Sequence, residues 1–155
     1  MYKEKIQNNT LFREARIEDL DILVSLHTKL LMMEGDFIYD KVAISNGMKM
    51  LLVNENSFIL VLETKGEIVG MCTLQFVVST VEGGMIAVLE DVIIDEKYRR
   101  KGLGKKFFRY IEDFCKLKNI RRIQLLTQYE NKNSIMFYKS LGLNALERIF
   151  FFKKL

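Results

Sequence analysis

The residues whose types and spacing carry the most chemistry are Arg99, Gly102 and Gly104, set in the run "LEDVIIDEKYRRKGLGKKFF" from Leu89 to Phe108. An apolar, strand-like segment ends, two glycines follow among Arg99, Arg100, Lys101 and Lys105, and a helix-like pattern begins. A helix starting at Gly102 leaves its first N–H groups unpaired, at the end where the helix dipole favours negative charge. Glycine has no side chain, so an anion can approach the main chain closely at that point. Two familiar phosphate loops are excluded. A Walker loop needs a glycine five positions before Gly104, and a dinucleotide fingerprint needs one at 107, where Phe107 stands. What remains is Arg-x-x-Gly-x-Gly at a strand end. Taken alone it is also an ordinary basic surface turn; the strand before it and the helix after it favour anion binding.

The elements that must position this loop follow from periodicity. "LFREAR" (Leu11–Arg16) alternates as a half-buried strand does. Glu18 and Asp19 then open a helix with the stripe Leu20, Leu23, Val24, Leu26, Leu30 and Leu31, acids in its first turn suiting the dipole. A second helix spans Asp40 to Val53, with Val42, Ile44, Met48 and Leu51 or Leu52 inward. "SFILVLE" and "IVGMCTLQFVV" form a hairpin about "TKGE", and "MIAVLEDVIID" adds a third strand after Glu82-Gly83-Gly84. Leu103, Phe107, Ile111, Phe114 and Cys115 recur at helical spacing. "RRIQLLT" reads as a strand, Asn131 to Leu141 as a short helix stopped by Gly142, and "ERIFFFKKL" as a closing strand. The order β-α-α-β-β-β-α-β-α-β gives an α/β (α+β) chain, a mixed central sheet with helices on both faces.

The bulk composition narrows the class. At 155 residues, without repeats or linker-like stretches, residues 1–155 are expected to form one domain. With 49% hydrophobic and 28% charged residues the chain is an ordinary globular one, and no apolar run reaches the length of a membrane span. "MYKEKIQNNT" lacks the apolar core of a signal peptide. Cys72 and Cys115 have no metal-ligand spacing and read as buried, reduced thiols, so no metal is expected and the cytoplasm is the expected compartment. A net charge of +4 favours an anionic ligand but not a nucleic acid; Phe107 and Tyr110 fall largely on the core stripe, where they cannot stack on bases. His27, the single histidine, stands beside no other ligand-type cluster and reads as structural or solvent-facing.

Two signatures together resemble the GNAT superfamily of N-acetyltransferases. Arg99-x-x-Gly102-x-Gly104 is similar to that family's pyrophosphate loop. "YENKNSIMFYKSLGL" (Tyr129–Leu143) is similar to its second signature through Asn131, Phe137, Tyr138 and Gly142, with Ser134 in place of the usual alanine and Leu143 in place of phenylalanine. Asp95 stands where the family often has proline. The resemblance implies the GNAT fold and acetyl-CoA as cofactor. It implies that the backbones of Val92, Ile93 and Ile94 bond the pantetheine arm, that amides from Arg99 through Arg100, Lys101, Gly102, Leu103 and Gly104 to Lys105 hold the pyrophosphate, and that Asn131, with Ser134, contacts the cofactor.

It also implies a direct transfer to an amine. A lysine-like ammonium is only about one part in 10³ neutral at pH 7, so roughly 4–5 kcal/mol must be met by a base or by selecting the neutral form. Strand alternation sends Glu90 and Asp91 to opposite faces, so only one can look into the cleft. The pair resembles that of GNAT enzymes acetylating polyamines or glucosamine 6-phosphate, which implies Glu90 as the base, acting through water; the other reading of Glu90 is a carboxylate that only anchors substrate. Tyr138 is the expected proton donor to the leaving thiolate, its other reading a core tyrosine, and a main-chain N–H near Ile93 or Ile94 takes the oxyanion. The segment "MMEGDFIYD" brings Glu34, Asp36, Tyr39 and Asp40 to the expected acceptor side, with Glu82 on a nearby turn, which suits a small cationic amine such as a polyamine; solvated loop acids are the alternative. A protein N-terminus or lysine is the rival acceptor, and a non-catalytic acyl-CoA-binding regulatory module the rival class. Phe150-Phe151-Phe152 would bury both faces of a strand, so a homodimer is a further expectation.

Overall fold

The computed structural model describes residues 5–7, 9–35 and 39–155. Its elements are β1 (Lys5–Gln7), β2 (Thr10–Glu14), α1 (Leu20–Glu34), α2 (Lys41–Val53), β3 (Ser57–Thr64), β4 (Glu67–Ser79), β5 (Gly84–Ile94), α3 (Leu103–Leu117), β6 (Ile123–Gln124) and α4 (Lys132–Ser140). The six strands lie in chain order, antiparallel throughout except for β5 and β6, which run parallel across α3. This is the mixed sheet read from the periodicity. The chain falls into two compact bodies, one ending at Leu125 and the other covering Leu126–Leu155.

In the first body the sheet is buried on both faces. Leu23 and Leu26 of α1 and Met48 of α2 pack with Ile59, Val61, Met71 and Ile93. On the other face Phe12 meets Phe107 and Tyr110 of α3, with ring centroids 6.1 and 5.4 Å apart, and Phe58 meets Phe114 edge-on at 5.0 Å. Burying side chains of this size stabilises by about 1.5–3 kcal/mol each, which is why α3, with polar residues on its outer side, holds its place. Asp40 caps α2 by accepting from the Val42 N–H at 2.8 Å, and Gly35 ends α1 at φ 73°.

Four expectations are corrected. Val42 is exposed rather than inward, being in the first turn of α2. Leu11–Arg16 gains an outer partner, β1, which is too short to show periodicity. The strand expected over residues 121–127 pairs only at Ile123 and Gln124. Residues 147–155 form no strand, and Phe150, Phe151 and Phe152 are exposed. No helix among the described residues is long and apolar enough to cross a membrane.

Candidate active site

The site is built where β5 leaves its neighbour. Ala87 and Val88 pair with Ile123 and Gln124, and beyond them no described strand pairs with that edge of β5. An unpaired strand edge is a row of N–H and C=O groups ready to bond an extended ligand. Which residues present those groups is set by the ladder. The Asp95 N–H donates to the Val69 carbonyl at 2.7 Å, so Asp95, and two residues back Ile93 opposite Met71, turn their main chain toward β4. Val92 and Ile94 therefore face the open edge. Ile93, expected to bond a cofactor arm, has its backbone committed to the sheet.

A bulge produces this arrangement. Thr73 pairs with Glu90 and Met71 with Ile93, so Cys72 stands opposite two residues, Asp91 and Val92. Asp91 takes φ 53°, a left-handed conformation that glycine adopts without cost and other residues avoid. Strict alternation is broken there, and Glu90 and Asp91 do not point to opposite faces. The Gln75 amide donates to Glu90 Oε2 at 3.2 Å, and the Thr73 hydroxyl donates to Asp91 Oδ2 at 2.8 Å. Thr73 and Gln75 are two apart on β4 and share a face, so both carboxylates lie on it. It is the face that carries α1, because His27 Nε2 stands 3.1 Å from Asp91 Oδ1. A carboxylate only accepts, so the imidazole proton in that bond belongs to Nε2. Glu90 remains exposed while Asp91 is half-buried. Sequence reasoning missed His27, Thr73 and Gln75; the cross-strand register of the hairpin was the one signal for the two β4 residues, and nothing local marked the histidine.

After β5 the chain makes a tight turn over Glu96–Tyr98, capped by Asp95, whose carboxylate accepts from the Lys97 N–H at 3.2 Å. The Lys29 ammonium of α1 bonds the same carboxylate and holds it below the usual carboxylate range. Arg100 at φ 58° and Gly102 at φ 74° then take left-handed backbone on either side of Lys101 before α3. Gly102 is the N-cap of α3, with no side chain capping the first turn. A Cβ added at Gly102 would meet nothing within 4 Å, so glycine serves φ there and the space beside it is open. The donor set thus fits a pyrophosphate: the first-turn N–H groups of α3 and the cationic side chains of residues 99–105. Arg99 is not wholly directed to that task. Its Nε donates to the Ile94 carbonyl at 2.7 Å and a terminal nitrogen lies 3.0 Å from Met33 Sδ. Of the open-edge groups, the Ile94 carbonyl is the one that Arg99 already occupies.

In the second body α4 carries the other signature. Asn131 is its N-cap and accepts from the Ser134 N–H at 3.0 Å, which leaves the Asn131 side-chain NH₂ as the group able to serve a ligand. Ser134 and Tyr138 are four apart and share a helix face. Tyr138 packs edge-on to Phe137 at 5.3 Å.

The expected acceptor residues fare unevenly. Glu34 ends α1, Tyr39 is half-buried before α2, and Asp36 lies outside the described residues. Asp40 is spent as a helix cap. Glu82 is at the opposite end of β5 and bonds Arg122 at 2.9 Å, which removes it from the acidic group. Burial pushes the Cys115 thiol up to about 12 and raises the Cys72 thiol well above its ordinary value, so neither is a nucleophile.

Residues 26–143 match the family model for the acetyltransferase (GNAT) family. The chain belongs to that family. An uncharacterized N-acetyltransferase of Methanocaldococcus jannaschii is 26% identical over 138 residues, covering 87% of this chain and 61% of that protein. The glucosamine 6-phosphate N-acetyltransferase of Trypanosoma brucei brucei is 33% identical over 84 residues, 54% of this chain and 55% of that one. The chain thus spans less than two thirds of the length of these GNAT relatives. Among solved structures, a possible acetyltransferase from Clostridium difficile 630 superposes with a TM-score of 0.85 at 25% identity, covering 96% of this chain and 99% of that one. A predicted acetyltransferase from Clostridium acetobutylicum, solved with acetyl-CoA, shares the fold with a TM-score of 0.77 at 17% identity, covering 93% and 96%.

Proposed function

We propose that this GNAT chain is an N-acetyltransferase that takes acetyl-CoA and a small, cationic primary amine. The observation that carries the reading is the open edge of β5 at Val92 and Ile94 running into the left-handed, uncapped start of α3 at Gly102. An arm lying along that edge delivers its phosphates to the α3 N-terminus, and the acetyl-CoA in the related Clostridium acetobutylicum structure supports that cofactor. Bound there, acetyl-CoA supplies an acetyl group activated as a thioester.

The chain's own residues then do the following. Main-chain N–H groups of Val92 and Ile94 bind the arm and oppose negative charge at the acyl oxygen. Arg100, Lys101, Gly102, Leu103, Gly104 and Lys105 hold the pyrophosphate, with Arg99 bracing the end of β5. Glu90, held by Gln75, removes the proton from the amine, and Tyr138 holds a proton on its hydroxyl for the departing thiolate. Asn131 and Ser134 serve the cofactor from α4. Two carboxylates on one face, Glu90 and Asp91, support a cationic acceptor, and the glucosamine 6-phosphate relative supports a small amine; Glu34 and Tyr39 are proposed to shape its entrance. The family match runs across the boundary at Leu125, which supports one domain over 1–155. The free, buried thiols support a reducing, cytoplasmic setting, and the exposed Phe150–Phe152 run supports a homodimer, which a monomeric mass in light scattering would refute.

Calorimetric titration tests the reading: acetyl-CoA binds and ATP and a short DNA duplex do not. Thiol release is then followed with a polyamine, glucosamine 6-phosphate and a peptide with a free N-terminus. Turnover of the polyamine first supports the proposed acceptor. Turnover of the peptide alone moves the chain to the protein-acetylating class, and binding without any turnover makes it a regulatory module.

A further inference from the structure

Asp91 is the one described non-glycine residue with positive φ that lies within a strand; Asn9, Lys65, Arg100 and Asn119 take it outside them. A left-handed residue costs roughly 1–2 kcal/mol unless it is glycine, with aspartate and asparagine the least averse. Such a conformation persists where the surroundings over-determine it. Here they do. Each carboxylate oxygen of Asp91 is bonded from a different element, Oδ2 by the Thr73 hydroxyl of β4 and Oδ1 by His27 Nε2 of α1. Thr73 is 1% exposed, and His27 sits on the core stripe of α1 one turn from Leu23, with its ring 15% exposed. Neither donor has room to wander.

The ladder shows what this residue decides. The Arg121 N–H bonds the Met85 carbonyl and the Ala87 N–H bonds the Arg122 carbonyl, so odd-numbered residues of early β5 turn their main chain toward β6. Unbroken alternation would carry that parity to Asp91 and Ile93. The extra residue resets it, and Val92 and Ile94 face the open edge instead. The same reset brings Glu90 and Asp91 onto one face.

We infer that His27 and Thr73 form a lock on Asp91, and that this lock, acting through the backbone, keeps the bulge that aims the Val92 and Ile94 main chain and the Glu90 carboxylate into the site. His27 is a positioning residue: it acts through Asp91 and does not touch the reacting atoms. The functional consequence rests on the acetyl-CoA reading above; the lock itself does not.

The experiment pairs His27→Phe with Asp91→Gly. Phenylalanine keeps a ring in the space and loses the bond; glycine takes the left-handed conformation without a lock. Amide exchange between residues 90 and 95 is followed by NMR in the ligand-free protein, and CoA affinity by calorimetry. His27→Phe is expected to speed exchange at Ile93 about tenfold, the loss of one hydrogen bond to a charged group, and to weaken CoA several-fold. In the Asp91→Gly background the same change is expected to move neither quantity more than twofold. Thr73→Val, and Asp91→Ala against Asp91→Gly, give the same comparison if His27→Phe does not fold. Unchanged exchange at Ile93 in His27→Phe overturns the lock, as does an equal penalty in the glycine background. If the wild-type chain binds no CoA, the cofactor reading fails while the exchange data still decide the lock.

Discussion

Gly102→Ala separates a turn from an anion site. Alanine at φ 74° pays roughly 1–2 kcal/mol for the left-handed conformation, and no steric term is added because its Cβ meets nothing within 4 Å. A matched control exists at Gly83, which has φ 60° and a nearest Cβ neighbour, Arg121 Nη1, at an ordinary 3.9 Å. Gly83 lies in the turn before β5, at the far end of that strand from Asp95. For a chain of this size 1 kcal/mol lowers Tm by about 2–4 °C, so both variants are expected to lose roughly 2–8 °C in thermal unfolding. Their CoA affinities should part. Relief of the strain at 102 rotates the first N–H groups of α3, and each charge-assisted bond to phosphate that is lost weakens binding by about tenfold. Gly83→Ala should bind CoA within twofold of wild type. Equal Tm losses with equal, undiminished CoA affinity would refute the reasoning and leave Gly102 as a turn residue only.

Glu90→Gln retains the shape of its contact with Gln75 and removes the base, so kcat is expected to fall roughly 10²–10⁴-fold with CoA affinity within twofold; an unchanged kcat reassigns Glu90 to substrate anchoring. Tyr138→Phe should lower kcat about tenfold or more while CoA affinity stays, and no change in rate sinks its role as proton donor. At the other end of the sheet, burial pushes Asp19 up, but bonds of 2.7 Å from Arg13 and from the Arg16 N–H outweigh it and hold the carboxyl below its ordinary value. A depressed carboxylate contributes stability that is full above its unfolded value near 4 and is lost as pH falls through the folded one. Urea unfolding from pH 7 to 3 should show that loss, and Asp19→Asn should flatten it while costing about 2 kcal/mol at pH 7, because Arg13 is buried. An equally steep acid loss in Asp19→Asn would place the titration elsewhere.

What could be read from sequence and what could not divide along one physical line. Periodicity reports burial, so α3, whose apolar and polar faces are sharply separated, and the β3–β4–β5 meander, apolar wherever both faces are covered, were legible nearly to the residue. The loop from Arg99 to Gly104 was legible because left-handed backbone and helix starts restrict residue type. The closing strand was not, since three exposed phenylalanines read the same whether or not a neighbour pairs with them.

The bulge is the instructive failure. Alternation is a rule about an unbroken strand, and "LEDVII" contains no glycine to announce a break; an aspartate takes the left-handed position because a threonine 18 residues away and a histidine 64 residues away bond it there. Local propensity would place Asp91 in extended backbone, with its carboxylate opposite Glu90 across the sheet. Two distant donors reverse that choice, and the reversal fixes both the carboxylate pair and the backbone edge that the site requires. The loop from Arg99 to Gly104 can therefore be picked out from a motif, but the strand geometry that leads into it depends on residues that carry no motif at all.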